Sequence, residues 1–92
     1  LVEDGSRSLE AALEVGALIE ELDIVDLVAR SAATDDPEIS AVYANLERGS
    51  RNHLRAFVSQ LDSRGITYIP TQLDPATFDA IVSSDTERGS GS

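Results

Sequence analysis

A chain of 92 residues makes one domain at most, and without cysteine it has neither disulfide staples nor a thiolate metal site. Its net charge of −10, with seven basic residues that are all arginine, argues against binding a nucleic-acid backbone and against an anionic membrane surface. No apolar run approaches the ~20 residues needed to span a bilayer, and a chain that starts at Leu1 and contains no methionine is expected to be processed or part of something longer.

Leu1 to Arg7 reads as a polar lead-in, with Asp4-Gly5-Ser6 as a turn signal and Ser8 as an N-cap. A first helix is predicted from about Leu9 to Arg30. Leu9, Ala12, Leu13, Gly16, Ala17, Glu20, Ile24, Leu27 and Val28 share one face of it. Ser31 to Asp36 is a polar loop of the length that joins antiparallel helices. Asp36-Pro37-Glu38 is a strong helix start: an acidic N-cap, proline at the first helical position, then another acid.

The second helix runs from Pro37 to about Ser63, and Gly65 ends it. Gly49 interrupts it at a cost of about 1 kcal/mol relative to alanine; the expected return is close approach of a neighbouring helix, and Gly16 has the same signature. Ile66 to Pro70 reads as an extended connector, because the chain has no second strand candidate to pair with it. Asp74-Pro75 opens a short third helix over about 75–84 that packs through Leu73, Phe78, Ile81 and Val82. Residues 86–92 are polar and rich in glycine and serine, and are expected to be a disordered tail.

The fold class is therefore all-α: an antiparallel helical hairpin plus a short C-terminal helix, in one unit over residues 1–85. Two long helices cannot bury both apolar stripes alone, and a hairpin leaves half of each stripe wet. The simplest completion is a second hairpin, giving a four-helix bundle. That hairpin comes either from a second copy of the chain or from an upstream segment.

Two residues on the stripes carry chemistry. His53 is the single histidine, spaced in helical steps from Ile39, Val42, Leu46, Gly49, Ser50 and Phe57, so it falls on the apolar stripe. It reads as a metal ligand or as a hydrogen-bonded core histidine. Glu20, one heptad after Leu13 and one before Leu27, falls on the stripe of the first helix. A buried carboxylate needs a partner there; a metal ion, an arginine or His53 would each serve. Asp23, one turn on, borders the same face and is a weaker candidate ligand. Glu21 reads as a solvated or bridging charge, and Arg51 and Arg55 as partners for Glu21, Asp23 or Glu47. Counting from the loop puts Glu20 and His53 about one and a half turns, or ~9 Å, apart along the axis. That spacing favours an extended site over a direct contact.

The run Ser8-Leu9-Glu10-Ala11-Ala12-Leu13-Glu14-Val15-Gly16-Ala17-Leu18-Ile19-Glu20-Glu21-Leu22-Asp23-Ile24 resembles the third helix of a prokaryotic ferritin-like family known by the domain-of-unknown-function number 2202. Val42-Tyr43-Ala44-Asn45-Leu46-Glu47-Arg48-Gly49-Ser50-Arg51-Asn52-His53-Leu54-Arg55-Ala56-Phe57 resembles its fourth helix, and Tyr68-Ile69-Pro70 with the short helix resembles its C-terminal tail. The resemblance implies the C-terminal half of a ferritin-like four-helix bundle. It also implies a dinuclear site of di-iron or di-manganese type, with Glu20 as the third-helix carboxylate and His53 as the fourth-helix histidine. If the bundle is catalytic, the implied reaction is metal-centred oxidoreduction. A Glu-x-x-His motif would put glutamate at position 50, where this chain has Ser50, and Glu47 lies about 120° off that face. The alternative is a non-catalytic interaction module that assembles through Ile39, Val42, Leu46 and Phe57 with Leu13, Ile24 and Leu27.

Overall fold

The computed structural model describes residues 2–84 and residue 87, with side chains from residue 7 onward. Three helices follow in order: α1 (Val2–Ala33), α2 (Pro37–Ser63) and α3 (Pro75–Ser83). α1 and α2 form the expected antiparallel hairpin, and α3 packs back on α2. The described residues contain no strand, and Ile66–Pro70 is an extended connector. The expected tail lies outside the described residues, apart from Glu87.

The helix ends follow from local chemistry. Asp36 has extended backbone and accepts hydrogen bonds from the N–H groups of Glu38 and Ile39, with Pro37 in the first turn. α2 ends in a Schellman arrangement. The Ile66 N–H donates to the Leu61 carbonyl, the Gly65 N–H donates to the Asp62 carbonyl, and Gly65 takes φ +77°. Asp74 caps α3 by accepting from the N–H and the hydroxyl of Thr77. The Thr77 hydrogen bonds hold the Asp74 carboxyl below its usual range.

The start of α1 differs from expectation. The helix is already formed at Val2, so Ser8 lies within it and is not a cap. Leu9 is well exposed, and so is Val28 near the other end; the buried stripe of α1 narrows to Ala17, Glu21 and Ile24.

The core sits where α1, α2, the connector and α3 meet. Ala17 and Ile24 of α1 pack with Leu54 and Val58 of α2 and with Phe78 and Ile81 of α3. Leu73 and Val82 pack against this cluster, as the sequence predicted, and the Tyr68 and Phe78 rings lie 5.8 Å apart. Gly16 admits the Phe57 ring so closely that a Cβ there would stand 2.7 Å from it, which explains this glycine. Gly49 does not share that reason: a Cβ there would meet nothing within 4 Å. It borders an open groove.

Candidate functional site

The groove runs along one side of the hairpin and has a volume of about 500 Å³. Glu20, Asp23, Asp26 and Leu27 line it from α1; Asn45, Leu46, Gly49, Ser50 and His53 line it from α2. The three sequence-derived candidates, Glu20, Asp23 and His53, are therefore on one surface.

Glu20 and His53 meet directly, with Nδ1 of His53 3.4 Å from Oε2 of Glu20. This corrects the expected 9 Å offset. α1 continues past Arg30 to Ala33, so Glu20 stands thirteen residues before the loop and His53 sixteen after it. The remaining three residues amount to ~4.5 Å of helix rise, which two side chains span. The burial of His53 is corrected as well. Its side chain is 67% exposed while that of Glu20 is 14% exposed. His53 follows Ser50, and Leu54 follows His53; of the three, Ser50 and Leu54 turn into the hairpin and are buried. His53 faces the groove, on the half of the stripe that a lone hairpin leaves uncovered.

The donor set is one carboxylate and one imidazole, with Asp23 one turn along. Carboxylate and imidazole suit iron or manganese. Among the described residues, however, no group of three or more histidine, cysteine, aspartate or glutamate side chains lies close enough to hold a metal ion. Ser50, where a Glu-x-x-His would need its carboxylate, is buried beside the groove. The groove thus presents one carboxylate and one imidazole in contact, fewer side chains than the three that hold a metal ion. Toward the loop α2 also exposes Ile39, Val42 and Leu46, of which Leu46 lines the groove.

Two further polar constellations lie away from the groove. Glu21, expected to be a solvated or bridging charge, is fully buried. Its Oε1 accepts from the backbone N–H groups of Thr71, Gln72 and Leu73 at 3.2, 3.0 and 2.9 Å. Its Oε2 accepts from the Tyr68 hydroxyl. Burial, and then the Glu21 carboxylate, push the Tyr68 phenol well above its usual value. Three successive amides around one carboxylate fix the connector to α1. Its signal in the sequence was the heptad-like series Ala17, Glu21, Ile24, which continues the α2-facing side.

On the far side of α2, Arg51 and Arg55 grip Glu87 at 2.6–2.7 Å. Asn52 donates to the Glu87 carbonyl and accepts from its N–H. Hydrogen bonds from Arg51, and then from Arg55, bring the Glu87 carboxyl down to about 2. Arg51 also pairs with Glu47, as expected; neither arginine pairs with Glu21 or Asp23. Arg55 further donates through Nε to the Ile81 carbonyl near the end of α3, so these arginines are structural.

Comparison with known proteins agrees with this helical arrangement. An uncharacterized protein of Methanocaldococcus jannaschii, MJ0754, is 49% identical over 89 residues. That alignment takes in 97% of this chain and 48% of the relative, so the chain spans about half the relative's length. The crystal structure of hypothetical protein MJ0754 superposes with a TM-score of 0.84 at 48% identity, over 95% of this chain and 50% of that one. The family described as an uncharacterized protein domain, DUF2202, matches residues 1–85, and with so much of its length matched this chain belongs to that family.

Proposed function

We propose that this chain is one half of a ferritin-like four-helix bundle and that the Glu20–His53 pair is its share of a metal site of di-iron or di-manganese type. The observation that carries the reading is the pair itself: a carboxylate and the chain's single histidine, 3.4 Å apart in an open groove. Inward-facing carboxylates and histidines on facing helices are how such bundles bind metals. A second hairpin laid over Ile39, Val42 and Leu46 would bury these exposed side chains and bring the further ligands. The relative's length, about twice the matched segment, is what a bundle with two more helices needs.

Within the site, Glu20 would hold the metal and take up part of its charge, and Asp23 would add a carboxylate at the groove's edge. His53 would bind through one ring nitrogen. A bound iron or manganese ion supplies redox chemistry or a Lewis acid; a hairpin covering the groove would limit water access and so tune the site. The test is metal content per chain of the intact protein, expressed with iron or manganese, against Glu20→Ala and His53→Ala. Near-stoichiometric metal that falls severalfold in both variants supports the assignment. Metal unchanged in both overturns it.

A second reading has one observation in its favour. Ser50 stands where the bridging carboxylate of a Glu-x-x-His would be, and no three-ligand cluster exists among the described residues. On that reading the groove is an interaction surface only, and Glu20–His53 is a polar contact that fixes how the second hairpin docks. Assembly that persists without bound metal, with full stability, favours it.

A further inference from the structure

α1 carries a second apolar seam that the hairpin does not use. The first seam, Leu13, Ala17, Glu20, Ile24 and Leu27, faces α2 and the groove. The second is Ala11, Val15, Leu18, Leu22, Val25 and Ala29, spaced 4-3-4-3-4. That alternation is the heptad pattern of helix-to-helix pairing. At 3.6 residues per turn its centre lies roughly 160° around α1 from the first. α2 leaves it uncovered, and the connector half-buries only Leu18 among its large members. Val15, Leu22 and Val25 are 54%, 46% and 43% exposed. The connector runs alongside, leaving Ile69 68% exposed at the seam's rim.

The order of side chains along this seam says what covers it. The six positions read Ala, Val, Leu, Leu, Val, Ala, the same in both directions, and mirror about residue 20. A two-fold axis normal to the helix at that point would set Leu18 against the Leu22 position of a second copy. Val15 would meet Val25, and Ala11 would meet Ala29. Isologous contacts require a self-complementary surface of this kind. The large residues are central and the alanines terminal, so two such helices would touch most closely at the ends without overcrowding the middle. Ile19, 50% exposed and one residue from the axis, would meet its own copy beside it.

We infer that the outer seam of α1 is a homodimer interface, in which two copies pair antiparallel through α1 about residue 20. The inference does not depend on the metal reading, because none of the six seam residues lines the groove.

The absence of cysteine makes disulfide trapping clean. Chains carrying Leu18→Cys are mixed with chains carrying Leu22→Cys and oxidised, and Val15→Cys is mixed with Val25→Cys in the same way. Leu46→Cys, on the groove, serves as the control. The expected result is rapid mixed dimers from both seam pairs, with self-linked dimers of each single variant at least tenfold slower. In parallel, sedimentation equilibrium of the intact protein should show a dimer, and Leu22→Glu should weaken it roughly a hundredfold, since each substitution enters a two-fold interface twice. Circular dichroism establishes that the Leu22→Glu helix is retained; Leu22→Ala, which adds no charge, should weaken association in the same direction but less. Preferential self-linking of Leu18→Cys would mean parallel pairing and would overturn the inference. A monomer at all concentrations, or trapping confined to Leu46→Cys, would overturn it as well.

Discussion

Glu21 is the residue whose removal should cost most. Its carboxylate is the acceptor for three backbone N–H groups and one tyrosine hydroxyl, all of them near a fully buried side chain. Glu21→Ala strands those donors, and an unmet buried donor is more costly than a hydrogen bond is favourable. The expected loss is about 3 kcal/mol in chemical denaturation, since at least two donors would go unpaired. Glu87 acts at lower pH. Its folded value of about 2 lies below the ordinary glutamate range, so it binds protons less readily when folded. The stability it contributes is therefore fully present above the unfolded value of about 4.3 and is lost as pH falls toward 2. Denaturation midpoints measured between pH 5 and 2 should fall more steeply for the parent protein than for Glu87→Gln, with the two curves converging at the acid end. Parallel curves would mean that the arginine clamp does not persist in solution.

At the scale of elements, Gly16 and Gly49 should respond in opposite directions. Gly16→Ala gains helix propensity but drives a methyl into the Phe57 ring, and overpacking of this kind costs about 1–3 kcal/mol. Gly49→Ala meets nothing in the chain and should stabilise the helix by about 0.5–1 kcal/mol. Thermal melts of both variants check this contrast. The helices themselves were legible because their punctuation is local: Asp36-Pro37, Gly65 and Asp74-Pro75 fall where caps and breaks are found. The early start of α1 was not legible. Asp4-Gly5-Ser6 reads as a turn on intrinsic preference, yet those residues continue the helix, as weak local propensities do when the rest of a long helix is already formed.

At the scale of the molecule, an uncovered groove holds the polar pair that the sequence singled out. That Glu20, Asp23 and His53 share a surface was legible from helical spacing. The exposure of His53 was hidden, because a stripe shows which face is apolar but not what covers it. The Glu21 cradle was hidden for a different reason: its donors come from a connector fifty residues away in sequence, and no helical periodicity encodes that return. The pair can be examined through the imidazole. Mn²⁺ bound to the intact protein should show a ¹⁴N coupling in pulsed electron paramagnetic resonance if His53 is a ligand. The account predicts that this coupling is present in the parent protein and is lost or clearly diminished in His53→Gln, while the carboxylate substitution Asp79→Asn leaves it untouched. Mn²⁺ that shows no nitrogen coupling, or the same coupling in His53→Gln, would contradict the assignment of Glu20 and His53 as a metal half-site.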